Sequence, residues 1–275
     1  MPNRAVPAVS SFWRDARLPF VELREVRDGR QVCYDKHTHE TYSIGAITGG
    51  RSRYVNGART WTVQRGAVVA MNPGEVHACN PLADAAWSYR MLYVDAAWLA
   101  GLQQPDGDRG DRELRELPMA ISHEPALYAG LNRLCETLVD PTAELLHKQT
   151  RTLEFFADLL RRQPGRRIVD GDEGDPRLQR AIDYIAAHYR DAVRIEDLCA
   201  ASGLSPSYLI RAFRARYGMT PHRYLIDRRV RAGRDLLRRG DSIAEVAVAT
   251  GFADQAHFQR EFKRRVAATP GQYRD

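Results

Sequence analysis

The sequence is poor in cysteine, and no apolar run is long. Cys33, Cys79, Cys135 and Cys199 are scattered over 275 residues without a CxxC pair. That argues against a zinc module or a disulfide framework and predicts buried thiols in a reducing compartment. No stretch approaches the ~18 apolar residues of a membrane span. The opening MPNRAVPAVSSFWRD lacks a signal-peptide apolar region, so a cytoplasmic protein without membrane contact is expected. No nucleophile or acid/base pair stands out either, so no catalytic residue is assigned and an enzyme is not expected.

What is present is a chain with 44% hydrophobic and 28% charged residues, able to fold and long enough for two domains. Its net charge of +6 is uneven. Residues 175–275 hold 19 Lys+Arg against 12 Asp+Glu, a net +7, and the rest of the chain is close to neutral. A polyanion would be met there, although arginine so outnumbers lysine throughout that part of the excess is composition.

Residues 20–94 carry short β-rich runs between turn signals: FVELREV, YSIGAITGG, RSRYVNGARTWTV, AVVAMNPGEVHA and AWSYRMLYV. Asn56-Gly57 marks a hairpin, and this spacing predicts a sandwich or barrel. From about residue 122 the period changes. Leu127, Leu131, Leu134 and Leu138, then Leu145, Leu146, Leu153, Phe156 and Leu160, predict amphipathic helices over 124–139 and 142–163. The stretch QPGRRIVDGDEGDP reads as a linker. The expected division is therefore a domain at 1–163, a linker at 164–176 and a second domain at 177–275.

The second domain contains a repeat. Ile195–Gly203 matches Ile243–Gly251, and Phe213, Thr220, Pro221 and Tyr224 match Phe262, Thr269, Pro270 and Tyr273, with one residue inserted in the turn. Each copy reads helix, turn, helix. Gly203 permits the turn, Ser205-Pro206 is an N-cap followed by Pro, and Leu209 with Phe213 must be buried. Ser207, Ile210, Arg211 and Arg214 then lie opposite. In the second copy Ser242 caps, Gly251 turns, Phe258 and Phe262 are buried, and Gln255, Ala256, Gln259, Arg260 and Lys263 face out. Arg suits guanine and Gln suits adenine in the major groove. A helix from Thr220-Pro221 to about Arg239 is nearly long enough to join motifs in successive grooves, ~34 Å apart.

These residues carry a resemblance. The stretches IEDLCAASGLSPSYLIRAFRARYGMTPHRYL, DRRVRAGRDLL and IAEVAVATGFADQAHFQREFKRRVAATPGQYR resemble the DNA-binding domain of the AraC/XylS regulators over residues 177–275. The resemblance places base contacts at Ser207, Ile210 and Arg211, and at Gln255, Ala256 and Arg260. Two positions depart from the pattern. Ala267 stands where glycine is usual, at a cost of ~1 kcal/mol if the helix end is left-handed, and Gly233 stands for alanine, with a similar local cost.

Further upstream, DKHTHETYSIGAITGG and RGAVVAMNPGEVHACNP resemble the two motifs of a cupin-type jelly roll, the sensory half of many such regulators. A small effector is expected among His37, His39, Tyr42, His77, Trp87 and Tyr89. Tyr54, Trp61 and Tyr93 are further aromatic candidates. His37, His39 and His77 could also hold Zn²⁺, Fe²⁺ or Mn²⁺. The glutamate of cupin enzymes is absent, however, and Glu40 would point away in a strand. A metal-free pocket, a divalent metal site and structural histidines all stay open, and no cofactor is firmly implied.

The expected fold is a multidomain α+β chain: an N-terminal cupin-like β-barrel or jelly roll with appended helices, then a C-terminal all-α domain of tandem helix-turn-helix motifs. The expected function is sequence-specific regulation of transcription, more often activation by family habit, controlled by a small effector. The partners are double-stranded DNA, a small-molecule effector, a second copy in a homodimer and, for an activator, RNA polymerase. An effector-independent regulator with a scaffold barrel, or a metal-dependent cupin enzyme fused to a DNA-binding module, are the alternatives.

Overall fold

The structure is a computed structural model that describes residues 10–30, 32–82, 86–104, 114–163 and 175–274. Strands β1 (Ser10–Trp13), β2 (Val21–Val26), β3 (Tyr42–Gly49), β4 (Arg51–Asn56), β5 (Arg59–Gln64), β6 (Val68–Met71), β7 (His77–Pro81), β8 (Ser88–Val94) and β9 (Ile121–Ser122) form two antiparallel sheets. One has the order β1-β2-β8-β3-β6-β9 and the other β5-β4-β7. Asn56 pairs with Arg59, so the hairpin turns on Gly57-Ala58. Gly57 has φ +56°, and glycine at the first central position shifts the turn one residue beyond the expected one.

The larger sheet is covered on both faces, which is why β3 is buried along most of its length. Tyr42, Ile44 and Ala46 face α2 (Pro125–Val139) and α3 (Leu145–Arg162), packing with Leu131, Leu134, Leu138, Phe156 and Leu159. Ile47, Val69, Met71, Tyr89 and Met91 face the small sheet. A short helix, α1 (Ala96–Gln103), follows β8. The α3 stripe differs from the expected one: Leu146 is 70% and Leu153 43% exposed, whereas Lys148 and Thr152 are buried with Phe156 and Leu159. Cys79 and Cys135 are buried, but Cys33 is exposed and Cys199 half-buried, so burial of all four thiols is corrected.

Residues 164–174, most of the expected linker, lie outside the described residues. Asp175 and Pro176 cap and open α4 (Pro176–His188). The helices α5 (Ile195–Ser202), α6 (Pro206–Tyr217), α7 (Pro221–Arg238), α8 (Ile243–Ala249), α9 (Gln255–Val266) and α10 (Pro270–Arg274) complete the chain. Two small cores result. Leu178, Ile185, Leu198, Leu209, Phe213 and Leu225 enclose the first motif, α5-α6. Val230, Leu237, Val246, Phe258, Phe262 and Tyr273 enclose the second, α8-α9. Helix α7 contributes to both, so the two motifs are held on one rod of 18 residues, about 27 Å at ~1.5 Å per residue.

The backbone signals fall where the repeat places them. Gly203 (φ +71°) and Gly251 (φ +81°) are left-handed, and a β-carbon at Gly251 would sit 2.4 Å from the Arg190 carbonyl oxygen. Ala267 ends α9 with φ +49°, a left-handed non-glycine. The cost expected at Gly233 has a packing reason: a β-carbon there would lie 2.8 Å from the Phe258 ring, so its absence lets α9 approach α7.

Candidate effector pocket and nucleic-acid interface

The first site lies between the two sheets, at the end that meets α7. A backbone bridge joins His37 to His77, with N–H to O distances of 3.1 and 3.0 Å, and brings the two cupin-like motifs together. The rings of His37, His39 and His77 stand 4.5–4.9 Å apart between centroids. Behind them Ile47, Val69, Met71 and Met91 form the apolar wall, and Tyr34, Trp87, Tyr89 and Tyr93 the aromatic one. The cavity is about 20 Å³, room for about one water.

Burial first, and the neighbouring imidazoles and arginines second, hold His37 and His39 well below the usual histidine range. Burial also lowers His77, partly offset by its contact with the Glu75 carbonyl. All three are neutral at neutral pH, and hydrogen bonds select their tautomers. His37 Nδ1 lies 2.8 Å from the Asp35 carbonyl oxygen and His77 Nδ1 2.9 Å from that of Glu75. Each must donate there, which leaves the lone pair on Nε2. His39 is opposite: Arg234 Nη1 donates to its Nδ1 at 3.1 Å, so its proton is on Nε2. Burial pushes the Cys79 thiol up to about 12, which makes it an inert wall atom.

Five of the six expected pocket residues line this cavity: His37, His39, His77, Trp87 and Tyr89. Tyr42 does not. It is fully buried in the core beneath α2 and α3, because residues 42, 44 and 46 of β3 share the helix-facing side. Tyr54 and Trp61 pack on one another in the small sheet. Tyr34, Met71 and Met91 were missed: Tyr34 lies in the connection between β2 and β3, outside any regular element, and β-strand parity for the methionines is fixed only once both sheets are placed.

The cavity abuts the second domain, and one short segment faces both. Thr38 Oγ1 donates to Asp227 of α7 at 2.7 Å. Glu40 lies 3.6 and 3.4 Å from Arg228 and Arg231 of α7. Nearby, Arg238 donates to buried Glu22 at 2.8 Å, as does Arg14. Arg24 donates to the carbonyls of Val266 and Ala267 at the end of α9.

The second site is the outer face of α6 and α9. Leu209, Phe213, Phe258 and Phe262 are fully buried, which turns Ser207, Arg211, Arg214, Gln255, Ala256, Arg260 and Lys263 outward and leaves Ile210 and Gln259 half-buried. The side chains of Arg211, Arg214, Arg260 and Lys263 have no hydrogen-bond or ion-pair partner among the described residues. Arginines facing inward are tied instead: Arg229 donates to the Tyr189 and Asp191 carbonyls at 2.6 and 2.8 Å, and Arg265 to Glu261. Unpaired cations on an exposed helix face are free to meet phosphate or base edges.

Residues 19–164 match the AraC-like ligand binding domain and residues 198–275 a helix-turn-helix domain. The chain is 27% identical to the HTH-type transcriptional activator RhaS of Escherichia fergusonii, over 89% of this chain and 88% of that one. It is 26% identical to the HTH-type transcriptional regulator YbfI of Bacillus subtilis, over 82% and 81% of the two chains. Among solved structures, apo ToxT of Vibrio cholerae superposes with TM-score 0.60 at 16% identity, covering 92% of this chain and 96% of that one, which shows a shared fold. No helix among the described residues is long and apolar enough to cross a membrane. The chain belongs to the AraC family of DNA-binding transcription regulators, with a ligand-binding domain ahead of two helix-turn-helix motifs.

Proposed function

We propose that the cavity between the sheets is the effector site and that its occupation alters how the barrel grips α7. The observation that carries this is residues 37–40: His37 and His39 line the cavity while Thr38, His39 and Glu40 hold Asp227, Arg234, Arg228 and Arg231. A ligand larger than one water must spread the walls, and the segment it displaces is the one bonded to the helix that joins the two motifs. Differential affinity for the two arrangements is what an effector needs to shift them.

The chemistry of the walls favours a small apolar molecule with an anionic head. Toward α7 the cavity continues as a hollow of about 10 Å³ lined by Arg24, Arg234 and Arg265. One ToxT structure is described as bound to an unsaturated fatty acid, an amphipathic ligand of that kind. The outward faces of α6 and α9 read the operator through Ser207, Ile210, Arg211, Gln255, Ala256, Gln259 and Arg260, with Arg214 and Lys263 on phosphate. Exposed Leu146 and Leu153, seven residues apart on α3, and Val139 at the end of α2 offer an apolar face to a second copy. In this reading the protein is a cytoplasmic homodimer that activates transcription through contact with RNA polymerase.

The test is a thermal-shift screen of the full chain against small carboxylates and apolar acids. A ligand at about a hundred times its dissociation constant should add roughly 2.7 kcal/mol of stability. The shift should vanish in Trp87→Ala and should change the affinity for operator DNA. A ligand that binds without altering DNA affinity overturns the coupling, and silence across the panel favours a scaffold barrel.

A further inference from the structure

We propose that Arg24 of the barrel is a positioning residue for the second readout helix. With the Asp35 amide it completes the C-terminal end of α9, an end that Ala267 makes dependent on the barrel, so release of the barrel loosens α9 and spares α6. The last carbonyls of an α-helix have no partner within it. Here the barrel supplies one. Arg24 donates to the Val266 carbonyl and, at 3.1 Å, to that of Ala267, and the Asp35 N–H donates to that of Arg264 at 2.8 Å. Arg24 is 1% exposed. Its Nε donates to Ser10 Oγ at 3.2 Å, and its guanidinium lies 4.9 and 5.6 Å from the ring centres of Phe12 and Tyr34. A fixed fork is thus aimed from a sheet of one domain at the end of a helix in the other.

The reason that α9 needs this help is Ala267. Among the described residues it is the one non-glycine with a positive φ, +49°, and its β-carbon disfavours that conformation. The equivalent end of α6 is Gly218 at φ +60°, which glycine adopts without that penalty. The barrel reaches Gly218 with the Lys36 side chain, a long flexible stem where α9 meets a fixed guanidinium. The first readout helix therefore ends by itself. The second holds its end only where the barrel takes its carbonyls and covers the Ala267 methyl, which packs on the barrel core. The turn at stake carries the DNA contacts proposed above: the Ala267 N–H closes on the Lys263 carbonyl at 2.8 Å, and Arg260 lies one turn earlier. This hold is additional to the one on α7, which both motifs share, and it acts on one motif alone. Arg24 also lines the hollow toward α7, so an anion there would draw on the same guanidinium; that consequence rests on the effector reading, whereas the assignment to α9 does not.

The experiment is hydrogen–deuterium exchange of the full-length protein, resolved to the peptides that end α6 and α9. Arg24→Met removes the donors and keeps an unbranched stem. It should speed exchange over residues 264–269 by about fivefold or more, the factor that an uncompensated left-handed β-carbon carries, and leave residues 215–220 near the wild-type rate. Ala267→Gly added to Arg24→Met should restore most of the protection, because the end of α9 then stands without the barrel. A general loss of barrel packing would not be rescued at that position. Arg24→Lys keeps the charge but offers a point donor in place of the fork, and it carries the same comparison if Arg24→Met does not fold. In duplexes selected from a random-sequence pool, the Arg24 variant should relax base preference in the half contacted by α9 and keep it in the half contacted by α6. Exchange raised equally at both helix ends, or at neither, overturns the proposal. So does exposure that Ala267→Gly fails to reverse, or base preference relaxed alike in both halves. The exchange readouts use neither DNA nor an effector, so their failure is distinct from failure of the effector reading.

Discussion

Ala267 shows what one residue costs. It terminates α9 at φ +49°, where its internal counterpart is Gly218, also left-handed at φ +60°. The β-carbon makes that conformation unfavourable by ~1 kcal/mol. Ala267→Gly should therefore raise stability by about 0.5–1 kcal/mol in urea unfolding, less whatever the methyl group contributes where it packs on the barrel. An unchanged or lower midpoint would show that this packing outweighs the strain.

Glu22 is a residue-scale case of the opposite sign. Burial alone would raise its carboxyl, but Arg238, Arg234 and Arg14 more than offset this and hold it below the ordinary range. A group whose folded pKa is depressed contributes stability above its unfolded value, near 4.5, and that stability is lost as pH falls through the folded value. Removing one partner of a buried network costs about 3–5 kcal/mol, so Glu22→Gln should be destabilised by that order at pH 7. Its stability should also fall less steeply below pH ~4.5 than the wild type. Parallel acid limbs in the two proteins would remove Glu22 from the account.

At the scale of elements, the repeated motifs were legible because their local chemistry agrees with their packing. The hydrogen-bonded cap at Ser242, Ser205 at the N-cap position before Pro206 without a side-chain hydrogen bond, turns at Gly203 and Gly251, and buried pairs at Leu209/Phe213 and Phe258/Phe262 are local features. They become structural statements as soon as helix periodicity is applied. Elements defined by tertiary pairing were not legible. β1 is four residues at a sheet edge, fixed by its register with β2, and β9 is two residues on β6. Tyr42 was misplaced because β3 is apolar on both faces, so the sequence shows alternation without showing which parity faces the cavity. Leu146 and Leu153 were counted in the apolar stripe of α3, although they are exposed, because leucine at helical spacing looks the same in sequence whether or not its own domain covers it.

The readout helices give the prediction that belongs to this scale. Arg211→Ala and Arg260→Ala should each cost about 1–3 kcal/mol at the cognate operator and relax base preference at one position. Lys263→Ala should weaken all sequences about equally and reduce the salt slope by roughly one. Binding titrations at several salt concentrations against single-base operator variants separate these cases. If both arginines lose affinity uniformly over all sequences, they touch phosphate and the base-reading assignment fails.

At the scale of the molecule, the barrel and the DNA-binding domain meet through α7, the same helix that shares its apolar face between both motif cores. A change in the barrel's hold on α7 therefore reaches both recognition helices at once, without a separate path to each. Thr38 tests this best, since it sits between two cavity histidines yet points its hydroxyl at Asp227. Thr38→Val keeps the shape and removes that donor. It leaves a buried carboxylate short of one hydrogen bond, worth about 1–2 kcal/mol of docking. In the docked arrangement the cavity has room for only about one water, so on the proposed reading an effector binds better once docking loosens. Weakening the dock must then raise its apparent affinity, by about tenfold for each 1.4 kcal/mol. The measurement is the effector concentration at half-response in operator binding, for wild type and Thr38→Val. A curve displaced to lower concentration with the same plateau is the expected result. An undisplaced curve with an altered plateau would mean that Thr38 shapes the DNA-bound state and not the balance between the two arrangements.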